Sequence, residues 1–202
     1  MANRALKIII PIAIVVILIL IIYGSFTGTY NKMVTMEEGV KASWSQVENQ
    51  YQRRLDLIPN LVETVKGYAS HESDTLTAVA EARASAGGVM NMSDDLLDDP
   101  AAFERFQEAQ SSLGGALQRL LVVTENYPEL KANQNFLALQ DQLEGTENRI
   151  SVERKRFNDS VQSYNTYIKQ FPRMIIANMA GFDEKPYFEA SSGAENAPKV
   201  EF

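Results

Sequence analysis

Few residues of this chain combine the type and the spacing that catalysis or metal binding requires. The single histidine, His71, is followed by Glu72, as in the zinc-protease pattern His-Glu-x-x-His. Thr75 stands where the second histidine would be needed, so the pattern does not predict a zinc site. We expect His71 to be an ordinary exposed or capping residue at a helix turn.

An acidic cluster and two glycine pairs are the other candidates for ligand binding. The four aspartates between Asp94 and Asp99 lack the Asp-x-Asp-x-Asp-Gly order and the closing glutamate of a calcium loop. Gly87-Gly88 and Gly114-Gly115 lack the neighbours of a phosphate-binding loop. We predict a solvated loop for the aspartates, a helix stop for the first glycine pair, and a notch for a closely packed neighbouring helix at the second.

Covalent catalysis is equally poorly supported by the composition. The chain has no cysteine, one histidine and no Gly-x-Ser-x-Gly elbow. Glu144 and Glu147 are paired carboxylates, but on a helix rich in Arg and Lys they are typical of salt bridges. The sequence therefore predicts a protein that is not an enzyme and that has no catalytic residue, no metal and no cofactor.

The elements that would position any site begin with an N-terminal apolar segment. Arg4 and Lys7 precede nineteen uncharged residues, Ile8 to Phe26, which as a helix would measure about 28 Å, close to the hydrocarbon thickness of a bilayer. A cleaved signal peptide shares this pattern, but the run is longer than is usual and lacks an Ala-x-Ala-like cleavage site. We predict a transmembrane anchor with Pro11 in its first turn. The residues predicted to lie in the bilayer include Ile8, Pro11, Val15, Leu18, Ile22 and Phe26.

The orientation of the anchor follows from the basic residues at its two ends. Arg4, Lys7 and the amino terminus lie before it, whereas Lys32 and Lys41 follow within about twenty residues. The denser basic head predicts a cytoplasmic N-terminus and an extracytoplasmic body, in a single-pass protein of the plasma (inner) membrane. Without Arg4 and Lys7 the chain has 17 basic and 26 acidic residues, which argues against nucleic acid as a partner.

The body has the apolar spacing of long helices. From Val40 to Val65 apolar residues recur at intervals of three and four, and this helix could continue directly out of the anchor, with a kink or break caused by Pro59. A second helix is predicted from Ser73 or Asp74 to Gly87-Gly88. Asp99 and Pro100 are typical of the start of a third.

The fourth helix is predicted to run from near Pro128 to just before Pro172. It carries apolar residues seven positions apart, a coiled-coil-like seam formed by Phe136, Leu143, Ile150, Phe157, Tyr164 and Phe171. Glu147 and Arg154 lie between them, and either would need a partner if buried. Arg53 and Arg54 of the first helix are the candidates.

These elements predict an all-α fold, in which an N-terminal transmembrane helix is followed by an extended antiparallel four-helix-type bundle. The predicted regions are a head and anchor at 1–30, the bundle at 31–182 and a flexible, disordered tail at 183–202.

Two long motifs resemble a known family. They are the run from Gln52 to Tyr68, QRRLDLIPNLVETVKGY, and the run from Glu125 to Asn133, ENYPELKAN. With His71-Glu72 and Glu147-Asn148-Arg149-Ile150, they identify the chain as similar to the LemA family across nearly its whole length. The resemblance implies a bacterial, membrane-anchored helical bundle without known catalytic residues. It also implies an association with HtpX-type membrane metalloproteases and thus with protein quality control in the cell envelope.

We predict a non-enzymatic scaffold or adaptor of the cell envelope, with two alternative functions. The chain could be a scaffold or adaptor that binds the bilayer and an envelope protein, through a helix face or through the tail end Val200-Glu201-Phe202. It could be a hydrolase or ligand-binding protein with a polar site between helices, or a self-assembling homo-oligomer. The candidate polar cluster, interacting or structural, consists of Arg53, Arg54, Asp56, Asn60, His71, Glu72, Glu147 and Arg154.

Overall fold

The computed structural model describes residues 2–91 and 96–189. In this part of the chain all regular structure is helical, as predicted. The helices are α1 (Ala2–Lys66), α2 (Ser73–Asn91), α3 (Pro100–Thr124), α4 (Pro128–Lys131), α5 (Gln134–Lys169) and α6 (Arg173–Ala180).

Helix α1 joins the apolar N-terminal segment to the body without interruption. Its N-terminal part is long and apolar enough to cross a membrane, and the same helix continues to Lys66. Pro11 lies inside the helix rather than in its first turn, because the helix begins at Ala2. The predicted break at Pro59 is absent, because Arg83 of α2 donates a hydrogen bond to the carbonyl oxygen that the proline leaves free.

Helices α1 and α5 pack antiparallel along the body. Three side-chain hydrogen bonds join residues whose numbers add to nearly the same total: Ser43 to Ser160, Arg54 to Glu147, and Asn133 to Tyr68. Helix α3 runs parallel to α1, as shown by the ring contacts and the hydrogen bond of Trp44 with Phe103, Tyr51 with Phe106, and Arg54 with Gln110. With α2 between α1 and α3 in the chain, the four long helices alternate in direction, as in an up-down-up-down bundle.

The interior is divided into two apolar clusters along the bundle axis. The proximal cluster, nearer the anchor, extends on α1 from Met33 to Tyr51 and includes most of the buried aromatic residues. The distal cluster extends on α1 from Leu55 to Val65. Arg54, which is buried, lies between them, so a charged residue separates the two cores.

Several predicted helix features differ from the structure. Helix α2 does not stop at Gly87-Gly88 but continues to Asn91. The additional residues Val89 and Met90 pack against the proximal cluster. The predicted fourth helix is divided into α4 and α5, since the Asn133 side chain accepts a hydrogen bond from the Phe136 amide and starts a new helix. The predicted packing notch is also wrong: a Cβ atom added at Gly114 or Gly115 would meet only open space.

The seam on α5 is buried for most of its length. Phe136, Ile150, Phe157 and Tyr164 are buried, and Val161 and Ile168 make the anchor-proximal half of α5 the apolar half. Phe171 departs from the pattern because α5 ends at Lys169, and its side chain is 79% exposed.

The chain after α6 is packed against the bundle. Gly181, in the left-handed conformation with φ 76°, ends α6, and residues 182–189 follow as an extended segment. Phe182, Lys185 and Phe188 are buried in it. The packed body thus extends at least seven residues past the boundary at 182 that the sequence predicts, and residues 190–202 lie outside the described part of the chain.

Candidate functional site

A cleft of about 600 Å³ opens beside Arg54, between α1, α3, α5 and the end of the extended segment. Its walls are polar and carry charges of both signs. They are formed by Tyr51, Arg54, Glu104, Gln107, Glu108, Gln110, Ser111, Gly114, Glu147, Arg154, Phe188 and Glu189.

Arg54 ties three helices together at the base of this cleft. Its Nη1 donates to Glu147 Oε2 of α5 at 3.0 Å, and its Nη2 donates to both the backbone oxygen, at 3.2 Å, and the side-chain oxygen of Gln110 on α3. The guanidinium also lies 5.2 Å from the centre of the Tyr51 ring. The planar fork of an arginine suits this divided arrangement, which a lysine could not reproduce.

The ion pair is asymmetric in its exposure. The Arg54 side chain is 4% exposed, whereas the Glu147 side chain is 62% exposed. The structure therefore pairs Glu147 with Arg54, one of the two arginines predicted as its partner. The buried member of the pair is Arg54 and not Glu147, whose burial the sequence left open. Arg53, the other candidate, is exposed.

Two donors at this site are buried without an acceptor in the described part of the chain. They are Arg54 Nε and Gln110 Nε2. Burial also raises the pKa of the Tyr51 hydroxyl, and the nearby positive charges of Arg154 and Arg54 only partly oppose this. These two donors lie among the two arginines and four glutamates of the cleft wall.

Arg154 closes one side of the cleft against the extended segment. Its guanidinium stacks 4.5 Å from the centre of the Phe188 ring, and its Nη2 donates to the backbone oxygen of Glu189 at 3.0 Å. Phe188 in turn contacts Trp44 and Phe103 in the proximal cluster. Arg154 is thus held by the segment rather than by a carboxylate.

Two asparagine side chains of α5 bind the backbone of the extended segment. Asn165 accepts from the Lys185 amide at 3.0 Å and donates to the Lys185 carbonyl at 2.9 Å. Asn158 makes the same pair of bonds with Phe188, both at 2.9 Å. The seven residues from Asn158 to Asn165 rise by about 10.5 Å along the helix, and the three residues from Lys185 to Phe188 span about 9–10 Å when extended. The two asparagines are therefore spaced to reach both backbone positions.

Lys185 is the second buried cation of the body. Its ammonium donates to Asp98 and lies 2.9 Å from Glu37 of α1. Burial would lower the pKa of Lys185, but the hydrogen bonds and the charges of Asp98 and Glu37 together raise it. The predicted solvated loop of aspartates therefore contributes one ion-pair partner at Asp98.

The remaining residues of the predicted polar cluster do not meet at the cleft. Arg53, Asp56 and Asn60 are exposed on α1, and Asp56 accepts a hydrogen bond from Gln52. Glu72 lies at the distal end, where its carboxylate accepts from the Tyr127 hydroxyl and thereby raises the pKa of Tyr127.

His71, the only histidine of the chain, is exposed beside Glu72 at the distal end of the bundle, away from the cleft. The tail motif Val200-Glu201-Phe202 lies outside the described residues.

Sequence reasoning missed Gln110, Asn158, Asn165 and Lys185. A signal existed for Gln110, a polar residue within the apolar stripe between Phe106 and Leu113. Asn158 and Asn165 are also seven residues apart, the spacing of the seam beside them.

Together these features define a membrane-anchored helical bundle with a polar layer between two apolar cores. Residues 43–202 match the model of the LemA family. The chain belongs to this family, as its motifs predict.

Comparison with curated proteins gives relatives of two kinds. The magnetosome protein MamQ of Magnetospirillum gryphiswaldense is 30% identical over 174 residues, which are 79% of this chain and 64% of that protein. Magnetosome protein MamQ 2 of Paramagnetospirillum magneticum is also 30% identical, with the same coverage. Protein LemA of Metamycoplasma hominis is 22% identical over 85% of this chain and 74% of its own. The chain spans 64% of the length of the MamQ relatives it matches.

Proposed function

We propose that this protein is a non-enzymatic scaffold or adaptor of the bacterial cell envelope. The N-terminal part of α1 holds it in the inner membrane, and the bundle presents a rigid surface to a membrane or envelope protein. A membrane metalloprotease of the HtpX type, and with it protein quality control, is the partner that the family resemblance favours.

The uninterrupted course of α1 carries this proposal. A continuous helix from the anchor to Lys66 leaves no hinge between membrane and body, so the body is held at a fixed height and facing. Such rigidity is useful for positioning a partner. The names of the relatives agree with this, since they refer to the magnetosome or to the family rather than to a reaction.

We further propose that the body lies on the extracytoplasmic side. The argument is the dense basic head formed by Arg4 and Lys7, which favours a cytoplasmic N-terminus. Labelling of a cysteine introduced at exposed Val122 with a membrane-impermeant maleimide in intact cells would test this, because the chain has no other cysteine. Labelling only after permeabilisation would show the opposite orientation, with the body in the cytoplasm.

Site-specific photo-crosslinking in intact membranes tests the scaffold. A photoreactive amino acid is placed at Glu108, on the cleft wall, and in a matched variant at Asp141, which is exposed on α5 and does not line the cleft. We expect one envelope protein to be captured repeatedly from one position and not from the other.

Two outcomes would contradict an adaptor. Capture of this chain alone, in a defined multiple, would show a self-assembling scaffold. Equal capture of many unrelated proteins from both positions would show that neither surface is a specific interface.

Ligand binding in the cleft is a second candidate, favoured by the two buried donors without acceptors on Arg54 and Gln110. Native mass spectrometry of the full chain released from detergent would reveal a bound small molecule as added mass. Glu108→Lys changes the cleft wall without touching a buried residue, so it should alter ligand retention and leave the melting temperature unchanged. A wild-type spectrum at the mass of the bare chain would oppose this candidate.

A further inference from the structure

An apolar surface at the anchor-proximal end of the bundle has no partner in the described part of the chain. It consists of four large side chains in and just before α6. Their exposed fractions are 79% for Phe171, 43% for Met174, 50% for Ile175 and 74% for Met179.

Met174, Ile175 and Met179 lie on one side of α6, and Phe171 precedes the helix. With 3.6 residues per turn, Met174, Ile175 and Met179 fall within an arc of about 140°. Ala177 and Ile176, on the opposite face, pack against the proximal cluster. The helix is therefore held on the bundle by Ile176 and Ala177, with Met174, Ile175 and Met179 pointing outward beside the exposed Asn178.

The height of α6 relative to the anchor follows from the antiparallel pairing of α1 and α5. The pairs Ser43 with Ser160 and Arg54 with Glu147 place the end of α5, at Gln170, level with residues 31–33 of α1. After α6, the ring of Phe182 lies 5.5 Å from the ring of Tyr30. Both ends of α6 are thus beside residues 30–33.

That height corresponds to the headgroup layer of a bilayer. Residues 30–33 are four to seven positions after Phe26, the end of the uncharged run, or about 6–10 Å of helix rise. The headgroup region adds about 5–7.5 Å on each side of the hydrocarbon core, so residues 30–33 lie at its outer edge. The face of α6 is therefore continuous in height with the lipid-facing surface of the anchor.

We propose that Phe171 and the outer face of α6 form a second membrane contact, inserted into the headgroup layer of the bilayer that the anchor spans. The occupant is lipid, because the patch lies where the bilayer surface meets the bundle and consists of Phe, Met and Ile. The body is then attached to the membrane at two places, which fixes its tilt.

The test measures whether lipid reaches α6 in the full-length chain. A single cysteine at Met179, labelled with bimane, is reconstituted into phosphatidylcholine vesicles with and without brominated lipid. Matched labels at Thr166, exposed one turn before the end of α5, and at Val122, in the distal half, are the controls. We expect several-fold stronger quenching by bromine at Met179 than at either control.

A charged variant separates insertion from mere proximity. Ile175→Glu places a carboxylate at a half-exposed position of this face, so it should reduce quenching at Met179 to the level of Thr166, with unchanged helicity by circular dichroism. Quenching at Met179 that equals the controls, or that survives Ile175→Glu, would overturn the proposal. A label protected from aqueous iodide but not quenched by lipid would also overturn it, because protein rather than lipid would then cover the patch.

Discussion

The Nε of Arg83 donates a 2.9 Å hydrogen bond to the backbone oxygen of Leu55, one helix away. In a regular helix this oxygen would accept from the amide of residue 59, which is a proline here. Helix α2 therefore supplies the bond that α1 lacks, at a residue that is itself buried. A side chain on a neighbouring helix allows the proline to remain inside α1.

This relationship predicts coupling between Arg83 and Pro59. Arg83→Met should lower the free energy of unfolding by about 1–3 kcal/mol, because it leaves a buried carbonyl without a donor. In a Pro59→Ala background the same substitution should cost much less, since the new amide can reach Leu55. Urea unfolding of the four variants in detergent, followed by Trp44 fluorescence, gives the coupling energy. Equal costs in both backgrounds would show that the bond does not compensate for the proline.

The exposure difference across the Arg54–Glu147 pair predicts unequal mutational effects. Arg54→Lys should lower the free energy of unfolding by about 2–4 kcal/mol, because a buried ammonium cannot serve both Glu147 and Gln110. Glu147→Gln keeps an acceptor oxygen for Arg54 Nη1 but removes the countercharge of a buried guanidinium, so it should cost about 1–2 kcal/mol, less than Arg54→Lys.

Arg53→Lys is the matched control for Arg54→Lys. It makes the same chemical change at the neighbouring, exposed residue and should stay within about 0.5 kcal/mol of wild type. Chemical denaturation of all three variants measures the contrast. If Arg54→Lys were as mild as Arg53→Lys, the polar layer would contribute little to stability.

The extended segment predicts a sharp dependence on chain length. A chain ending at residue 182 loses Lys185 and the buried Phe188, and should be destabilised by about 3–5 kcal/mol from the phenylalanine alone. A chain ending at residue 189 keeps every contact described above and should be more stable than the chain ending at 182 by at least this amount. Melting temperatures of the two truncations in detergent measure this. Similar values for both would mean that the segment does not stabilise the bundle.

Alkaline pH should destabilise the body through Tyr164. Burial raises the pKa of its hydroxyl from 10.0 to about 12, so between these values the unfolded chain ionises and the folded chain does not. Stability from this residue is unaffected below pH 10 and falls as pH rises through this window, by about 1 kcal/mol at pH 11. The raised pKa of Lys185 acts in the same direction, because its contribution is complete below 10.5 and is lost above it.

Tyr164→Phe is the control for the pH effect. The Tyr164 hydroxyl has no hydrogen-bond partner in the described part of the chain, so its removal should not lower stability at neutral pH. Urea unfolding at about pH 9 and pH 11 should show a smaller loss in the variant than in wild type. An identical loss would mean that Tyr164 does not titrate as its burial requires.

The parts of the fold that follow local rules were predictable from the sequence. The spacing from Val40 to Val65 predicts the body of α1, and Asp99 caps α3 by accepting from the Ala101 amide. Such features depend on residues two to four positions apart. The continuity of α1 at Pro59 was not predictable, since the compensating donor, Arg83, belongs to another helix.

The candidate site was less predictable because its contacts are distant in the chain. Arg54 and Glu147 could be paired from their charges, but Gln110 becomes a partner only when α3 packs beside α1. The buried residues of the extended segment recur every third position, at Phe182, Lys185 and Phe188. This period matches neither a strand nor an α-helix, so a search for those two patterns overlooks it.

The unbroken course of α1 makes the direction in which the body faces depend on residue count. Each residue inserted between Phe26 and Tyr30 would rotate the whole bundle by about 100° about the helix axis and raise it by about 1.5 Å. The direction in which the cleft faces around the axis of the anchor is thus set by the number of residues between Phe26 and Tyr30. Members of this family with insertions or deletions there would turn a different side of the body toward the same neighbour in the membrane.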